Sequence, residues 1–469
     1  PAHIVTTIKR TIKLTIKKLY KAGMSVARLN GSHSNLEWHA KTISLIKSTI
    51  PTLPILLDIP GKKIRTVQLE FEPEFDVGDI IILTTLPGFL GKEKISINNL
   101  YLHESLSKGD IILADDGTLR FEVNKIIEND IYCLAKTKGK LKSAKGINVP
   151  HIKIKSDLIN QRDIDMMKFA VENEVDFVGI SFVESSEHIK SIRALSKNSW
   201  PRIVAKVENQ GGLDNLDEIA KETDVIMIDR GDLSTETNME SVAIYQKRII
   251  RVATKYAKPV IVATEMLHTM ISNPFPTKAE VTDITNAILD GASATMLSGE
   301  TAIGDYPIES VEIMTKISNT VNEDKYKDFN LNKHINDNQD VPRVMGESIR
   351  NLCNTLPITK VVAITISGFA ARMVSSTMLA QPIIAVSNDI FAAKSFNLLR
   401  NTKGIYINVD FAKDNSDHVL KSLKYLYNNK EINEKDVILI TSVEYPKSGR
   451  RMNMIQTHYV QDLIELFKW

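Results

Sequence analysis

The chain has 469 residues, of which 59 are lysine or arginine and 57 are aspartate or glutamate, so its formal net charge is +2. A chain of this length is too long for one hydrophobic core and is expected to form two or three domains. The balanced charge gives no general reason to expect binding to nucleic acid or to a membrane surface. No apolar run approaches the roughly 20 residues that a membrane span needs.

Cysteine usage and the start of the chain predict a cellular compartment. Cys133 and Cys353 are far apart and match no metal-ligand or redox spacing, which is typical of a reducing environment. The chain opens P-A-H-I-V-T-T-I, which is strand-like and not a secretory signal. We expect a soluble, cytoplasmic protein; a targeting peptide already removed would leave no trace in this sequence.

Eight short apolar segments alternate with amphipathic helical segments over roughly the first 320 residues. Two of the helices are predicted at Met239 to Tyr256 and Lys278 to Leu289. Eight βα units predict an α/β fold with a parallel (β/α)8 TIM barrel. The predicted strands are His3 to Ile8, Ser25 to Asn30, Pro54 to Ile59, Phe177 to Phe182, Arg202 to Val207, Asp224 to Asp229, Pro259 to Thr264 and Ala294 to Gly299.

The third barrel unit is interrupted by short alternating strands with Gly and Asp-Gly turns, which predict a small inserted β-barrel that acts as a lid. We therefore predict a barrel domain in two parts, 1–61 and 150–325, with the lid domain at 62–149. A linker rich in Asn, Asp and Lys then leads to a C-terminal α/β domain at 341–469. Its predicted strands are Val361 to Thr365, Ile383 to Val386, Ile405 to Val409 and Val437 to Thr441.

The most informative motif is V-A-K-V-E from Val204, because an apolar strand carries Lys206 and Glu208 two residues apart. A strand alternates its faces with period two, so both charged groups point the same way. A second apolar run leads to Asp232. Two carboxylates beside one lysine predict a divalent-cation site that handles a phosphate. Other strands also end in polar residues, namely Arg28, Asn30, Ser32 and His33, then Asp58, Thr264 and Glu265, and finally Ser298 and Glu300.

Several longer motifs resemble the pyruvate kinase family, and the resemblance covers essentially the whole chain. They include A-R-L-N-G-S-H from Ala27, D-I-P-G-K-K-I-R from Asp58, V-A-K-V-E-N from Val204, I-D-R-G-D-L from Ile228 and L-S-G-E-T-A-I-G-D-Y-P from Leu297. The resemblance implies a homotetramer with the three kinds of domain predicted above. It also implies the last step of glycolysis, in which phosphoenolpyruvate and ADP give pyruvate and ATP.

The resemblance further implies residue roles. Glu208 and Asp232 would bind Mg²⁺ or Mn²⁺, and Lys206 would stabilise charge on the phosphoryl group in flight. Arg28 would hold the phosphate, and Thr264 would lie near the methylene carbon that takes a proton.

Two further substrate contacts follow from the same resemblance. Backbone amides of the turn that contains Gly231 and Asp232 would meet the substrate carboxylate at a helix start. His33, together with Arg28, would bind the nucleotide.

Many members of the family also need K⁺, which they hold at the positions of Asn30, Ser32, Asp58 and the carbonyl of Ile59. A Glu of that site is replaced here by Lys63, as in members that do not require K⁺. A fixed ammonium can supply the charge of a bound ion, so we expect K⁺ not to be required. In the competing interpretation Lys63 points to solvent at the lid hinge, and Thr66, where K⁺-independent members more often have an aliphatic residue, favours that interpretation.

Some positions depart from the family pattern. Lys9 and Arg10 replace Gly and Pro in a turn near the nucleotide, and Lys62 replaces another Pro. Ser234, Glu265 and Glu184 stand where Gly, Gln and Arg are usual. The phosphoryl donor half of the site is therefore better supported than the acceptor half. Two alternatives stay open: a related phosphotransferase with a different acceptor or enolpyruvate-type substrate, and a non-catalytic relative that binds a phosphorylated metabolite.

The C-terminal domain carries T-I-S-G-F-A-A, which is similar to a family loop that binds a sugar-phosphate effector. Thr365, Ser367 and Gly368 match that pattern, whereas Ala370 takes the place of a hydroxyl residue and Phe369 precedes it. Loss of one hydroxyl contact costs on the order of 1 to 3 kcal/mol. We expect weak or absent activation by fructose 1,6-bisphosphate.

Overall fold

The computed structural model describes residues 1–9, 13–115, 117–155, 157–197, 199–323, 341–411, 415–443 and 452–469. Arg10 of the altered turn lies outside these residues, and so does most of the predicted polar linker.

The chain begins with three barrel strands separated by two helices. Helix α2 starts where the side chain of Asn35 accepts a hydrogen bond from the backbone N–H of Trp38, which satisfies one free donor of the first turn. The bounds are β1 (His3–Thr7), α1 (Lys13–Ala22), β2 (Val26–Asn30), α2 (Leu36–Thr49) and β3 (Ile55–Ile59).

The inserted segment forms a seven-stranded sheet in the order β4-β12-β8-β9-β10-β6-β7 and a small sheet of β11 and β5. A bridge between Thr66 and Ile97 joins the two ends of the larger sheet, which therefore curls back on itself like the predicted small β-barrel. The bounds are β4 (Ile64–Arg65), β5 (Glu74–Phe75), β6 (Ile80–Thr84), β7 (Ile95–Ser96), α3 (Leu102–Ser105), β8 (Ile111–Ala114), β9 (Leu119–Ile127), β10 (Asp130–Ala135), β11 (Gly139–Lys140) and β12 (Gly146–Asn148).

The barrel then resumes with five strands and their helices. The helix predicted at Met239 to Tyr256 opens with a 3₁₀ turn at Met239–Ser241, and a second such turn spans His268–Ile271. The bounds are α4 (Gln161–Glu172), β13 (Phe177–Ile180), α5 (Ser186–Arg193), β14 (Arg202–Val207), α6 (Gln210–Asp214), α7 (Leu216–Glu222), β15 (Val225–Asp229), α8 (Arg230–Glu236), α9 (Val242–Lys255), β16 (Val260–Ala263), α10 (Lys278–Asp290), β17 (Ala294–Leu297), α11 (Gly299–Ala302) and α12 (Pro307–Glu323).

The eight predicted strands close into one parallel barrel in the order β1-β17-β16-β15-β14-β13-β3-β2, so the predicted (β/α)8 fold is confirmed. Inward-facing residues such as Val204, Phe177 and Met227 fill its interior. Leu398 of the C-terminal domain belongs to the same packed cluster and is fully buried. The C-terminal domain therefore supplies part of the barrel core.

The C-terminal domain is a five-stranded sheet in the order β20-β19-β18-β21-β22, with β22 antiparallel to β21. The strand predicted at Ile405 to Val409 has the wrong bounds. The observed strand β20 begins three residues earlier, at the polar Thr402. The bounds are α13 (Val341–Thr355), β18 (Lys360–Ile364), α14 (Phe369–Ser376), β19 (Ile383–Ser387), α15 (Ile390–Ser395), β20 (Thr402–Tyr406), α16 (Asp417–Asn428), β21 (Val437–Ser442), β22 (Met454–Tyr459) and α17 (Val460–Phe467), with a 3₁₀ turn at Phe396–Leu398.

Both cysteines are buried and free of disulfides. Burial raises the pKa of Cys133 to about 12, so its thiol is unreactive. Among the described residues, no helix combines the length and apolar character that crossing a membrane would require.

Candidate active site

Lys206 lies at the carboxyl end of β14, inside a ring of carboxylates. Its Nζ is 2.8 Å from Glu208 Oε1, 3.3 Å from Asp229 Oδ2 and 3.9 Å from Asp58 Oδ2. Lys206 is 5% exposed and Glu208 is 0% exposed. Buried charges are costly unless they are paired. Here the single ammonium of Lys206 is paired with all three carboxylates. The structure brings Lys206 and Glu208 to the same side of the strand, as the two-residue spacing predicts.

A carboxylate cluster stands beside this lysine. Glu208, Asp229 and Asp232 each offer one oxygen within 4.8 Å of the others. The motif alone suggested that Asp232 ends a strand, but it lies in the first turn of α8. Asp229 was missed by the sequence reasoning, although it follows Val225 and Met227 at period two, and both of those face the barrel interior. That alternation was the signal that could have found it.

The electrostatics of the cluster favour an added cation. Burial raises the pKa of Glu208 to about 8, with the neighbouring carboxylates adding to the rise and Lys206 opposing it. Burial would also raise the pKa of Asp229, but Lys206 and Lys63 outweigh it and hold that pKa at about 2. Glu208 Oε1 forms an ion pair with Lys206 but, among the described residues, accepts no hydrogen bond of good geometry. Hard oxygen ligands with free lone pairs fit a divalent cation such as Mg²⁺ or Mn²⁺.

Lys63 lies in this cluster and not in solvent. Its Nζ donates to both carboxylate oxygens of Asp232, at 2.6 and 2.5 Å. The two side chains are only 12% and 9% exposed. The interpretation that Lys63 points to solvent at the lid hinge is therefore wrong for this structure. Thr66, which favoured that interpretation, is buried inside the lid, where its hydroxyl donates to the carbonyl of Lys142.

Arg28, at the carboxyl end of β2, is oriented by Asp58. Its Nε and Nη2 both donate to Asp58 Oδ2, at 3.0 and 2.6 Å, and its Nη1 donates to Thr7 Oγ1 at 3.1 Å. The other carboxylate oxygen, Oδ1, fits against Gly179, where an added Cβ would lie only 2.1 Å from it. The guanidinium is thus locked in place at the barrel mouth.

Thr264 follows β16 with strained backbone. Its φ is 70° and that of Glu265 is 53°, in the left-handed region that residues with a Cβ seldom occupy. The Thr264 hydroxyl accepts a hydrogen bond from the Gly231 N–H at 2.8 Å, and its carbonyl accepts one from Arg230 Nη2 at 2.9 Å. Thr264 and Gly231 therefore meet at the start of α8, the helix whose first turn carries Asp232.

The positions implied for a monovalent cation are engaged with each other. Asn30 Oδ1 accepts from the backbone N–H of Ser32 at 3.1 Å, and Asp58 is bound to Arg28. The backbone N–H of Gly31 donates to the carbonyl of Asp58, one residue before Ile59. The ammonium of Lys63 lies with the divalent-cation cluster and makes its hydrogen bonds there.

The acceptor side of the site is cationic. The pKa of His33 is lowered by burial and by the nearby charges of Arg65, Lys9 and Arg28, so its imidazole is neutral near pH 7. Lys9, one of the departures, is exposed. A neutral imidazole among fixed cations suits a polyphosphate ligand.

The other departures lie around the same mouth. Lys62 Nζ is 3.9 Å from Glu184 Oε2, so two unusual residues partly compensate each other, and Glu184 also accepts from Asn209 at 2.7 Å. Ser234 donates to the carbonyl of Gly231, and Glu265 is exposed.

The lid contacts the barrel directly above the cluster. Asn148 of β12 donates to Glu236 Oε1 at 2.7 Å, and burial raises the pKa of Glu236 to about 7. A narrow cleft lies under the lid and is lined in part by Lys62, Glu184 and Asn209. A lid in this position excludes water from the barrel mouth.

The effector-type loop lies at the start of α14. Thr365 Oγ1 accepts from the Gly368 N–H at 3.0 Å, and Gly368 has a φ of 88°. The carbonyl of Ser367 accepts from Arg372 at 3.1 Å. Ala370 has only a methyl group at this position, so it offers no hydroxyl to a ligand.

A (β/α)8 barrel with an oriented arginine, a buried lysine and gathered carboxylates at the carboxyl ends of its strands is built as an enzyme site for an anionic substrate. Family models extend this conclusion, because "Pyruvate kinase, barrel domain" matches residues 2–311 and "Pyruvate kinase, alpha/beta domain" matches residues 344–458. The chain belongs to the pyruvate kinase family and is a phosphotransferase.

Individual relatives agree with the family models. The chain is 36% identical over 459 residues to the pyruvate kinase of Thermococcus litoralis, covering 94% of this chain and 92% of the relative. It is 33% identical over 432 residues to that of Borreliella burgdorferi, with 91% and 90% covered. It is 34% identical over 435 residues to that of Thermotoga maritima, with 91% and 92% covered.

Proposed function

We propose that the chain transfers the phosphoryl group of phosphoenolpyruvate to ADP and so gives pyruvate and ATP, the last step of glycolysis. The observation that carries this proposal is the buried Lys206 among Glu208, Asp229 and Asp58, with Arg28 fixed beside it. The named relatives do not favour a different acceptor or substrate. The chain retains the lysine, the carboxylates and the arginine of this site together, which argues against a non-catalytic relative.

The divalent cation would be held by Glu208 and Asp232, whose oxygens approach each other within the cluster. When bound, Mg²⁺ or Mn²⁺ supplies positive charge that binds phosphate and enolate oxygens and neutralises charge during transfer. Asp229 also pairs with Lys206, because its Oδ2 lies 3.3 Å from the lysine Nζ. We assign it to orienting that lysine.

The chain's own residues then act on the reacting atoms. An oxygen of ADP attacks phosphorus while the bond from phosphorus to the enol oxygen breaks, and Lys206 stabilises charge on the moving phosphoryl group and on the enolate oxygen. Arg28 holds the phosphate through the guanidinium that Asp58 orients. The enolate takes a proton at its methylene carbon beside Thr264. The Asp232 amide receives the substrate carboxylate, together with the Gly231 amide once it leaves the Thr264 hydroxyl. Arg28 and His33 hold the nucleotide.

Lys63 serves as a built-in monovalent cation, so K⁺ is not required. Its ammonium is buried within hydrogen-bond distance of Asp232, where it adds fixed positive charge near the phosphate. The K⁺ positions of related enzymes, Asn30, Ser32, Asp58 and Ile59, then need no ion.

The assembly is a homotetramer in the cytoplasm. Exposed apolar side chains on the barrel, including Met239, Ile244 and Phe275, supply surface for contacts between copies. Sedimentation velocity tests the assembly, and a monomer at micromolar concentration would contradict it.

The reaction is tested by coupling pyruvate formation to lactate dehydrogenase with phosphoenolpyruvate, ADP and Mg²⁺. Wild type should turn over, whereas Lys206→Met should not. Lys168→Met is a matched control, because Lys168 is exposed on α4. Pyruvate formation that depends on another acceptor in place of ADP would support the alternative. Wild-type turnover that Lys206→Met retains would contradict the assigned mechanism.

A further inference from the structure

A second cleft lies between the base of the barrel and the C-terminal domain. It is formed by the end of α9, the segments before β16 and β17, helix α14 and the segment before β20. Lys258, Arg372 and Arg400 line it, and none of its lining residues is acidic. The cleft is therefore positively charged on both the barrel side and the C-terminal side.

The three cations make hydrogen bonds to uncharged partners. Arg400 Nη1 donates to the carbonyl of Ile288 at 2.8 Å, and Lys258 Nζ donates to that of Thr223 at 2.6 Å. Arg400 is 7% exposed, and its Nε has no hydrogen-bond partner among the described residues. Within the described part of the chain, no carboxylate forms an ion pair with any of the three.

Two carboxylates act on this cleft, and both are already paired: Glu222 is 3.6 Å from Arg193. Asp224 is 3.0 Å from Arg193 and 3.5 Å from Arg202. Burial lowers the pKa of Lys258 to about 8 and the pKa values of Arg372 and Arg400 to about 10. Arg400 is buried, and Lys258 and Arg372 are half-buried. Cations removed from water without an anion are costly, and a bound anion would reduce that cost.

We propose that this cleft binds a phosphate-type oxyanion, either free or as the phosphoryl group of a small metabolite. The ligand would bridge Lys258 of the barrel and Arg372 and Arg400 of the C-terminal domain. Ser375 and Ser376 also line the cleft, where their hydroxyls donate to the carbonyls of Arg400 and Met373. The site is separate from the catalytic residues and does not depend on the proposed reaction.

The test is calorimetric titration of the whole protein with inorganic phosphate at constant ionic strength. Phosphate can also bind at the active site, so the cleft is identified by comparing variants. Lys258→Met and Arg372→Met should each weaken one binding event by about tenfold or more, because each removes a charge-assisted contact. Arg372→Lys, which keeps the charge, should bind more tightly than Arg372→Met. Arg350→Met is a matched control on α13.

One variant separates the cleft from the neighbouring effector-type loop. Arg372 donates to Ser367 of that loop, whereas the described contact of Lys258 lies in the barrel. Thr365→Val should therefore leave the cleft event unchanged. Equal phosphate affinity in wild type, Lys258→Met and Arg372→Met would overturn the proposal. A loss of phosphate affinity in Arg372→Met and Thr365→Val but not in Lys258→Met would also overturn it, because the binding event would then belong to the effector-type loop.

Two additional measurements complete the test. Thermal melts should find both cleft variants folded in phosphate-free buffer, with a smaller phosphate-induced rise in Tm than wild type. Glycerol phosphate distinguishes the two sources of the ligand, because tighter binding than inorganic phosphate indicates a phosphorylated metabolite and weaker binding indicates the free anion. Melts in which phosphate stabilises wild type and both variants equally would contradict the cleft site.

Discussion

Replacing Lys63 should change how the site binds a divalent cation. In Lys63→Met the carboxylate of Asp232 loses the ammonium that lies 2.5 to 2.6 Å from its oxygens. A buried charge-assisted hydrogen bond contributes about 1.5–3 kcal/mol, and an incoming cation must compete with it. The free enzyme should therefore bind Mn²⁺ about tenfold to hundredfold more tightly in Lys63→Met.

The measurement is a titration of Mn²⁺ without substrates, with free Mn²⁺ followed by electron paramagnetic resonance. Lys62→Met is the matched control, because the neighbouring Lys62 is 3.9 Å from Glu184 and forms no ion pair with Asp232 among the described residues. Unchanged Mn²⁺ affinity in Lys63→Met would refute the reasoning.

The same position governs the expected response to K⁺. Wild type should be equally active in tetramethylammonium, Na⁺ and K⁺ buffers, because the Lys63 ammonium already supplies the charge. Lys63→Glu should become K⁺-dependent. Strong K⁺ activation of wild type would contradict the assignment.

Three further predictions concern the reaction, its regulation and acid stability. Lys206→Met should lower kcat by roughly a thousandfold or more with Mn²⁺ binding retained, whereas Glu208→Ala should weaken Mn²⁺ binding itself; near-normal turnover of Lys206→Met would contradict this. Fructose 1,6-bisphosphate should activate wild type weakly or not at all, and Ala370→Ser should bind it about tenfold more tightly; a large shift of the wild-type phosphoenolpyruvate curve at micromolar effector would argue against this. His188 is fully buried, and burial lowers its pKa to about 3, so at pH 5 only the unfolded imidazole binds a proton and acid favours unfolding. His188→Leu should therefore raise the free energy of unfolding by about 2 kcal/mol more at pH 5 than at pH 7.5, measured by urea denaturation, and equal effects at both pH values would disprove it.

The barrel was predictable because its strands are short apolar runs between helices, and period two alone brought Lys206 and Glu208 to one face. Thr402 begins a strand that the sequence did not indicate, since polar and small residues there give no apolar pattern. The family resemblance predicted an ammonium of Lys63 near the phosphate, but its pairing with Asp232 was not predictable. It depends on how the inserted lid leaves β3, and sequence spacing does not encode that direction.

Edge strand β22 (Met454–Tyr459) was missed for a related reason. Its side chains are exposed or half-buried, so the run M-I-Q-T-H-Y lacks clear alternation. Asp229 differs from both cases, because its alternation with Val225 and Met227 was present in the sequence. A carboxylate at the end of a buried strand is therefore predicted to face the barrel mouth when it alternates with inward-facing residues.

Leu398 has a consequence for any attempt to divide this chain. It comes from the C-terminal domain, yet it packs in the same cluster as Val204, two residues before Lys206 on β14. A truncated chain ending before residue 341 would leave a void at the base of the barrel, and a void of one leucine costs about 2 to 5 kcal/mol. The isolated barrel should accordingly melt at lower temperature than the full chain.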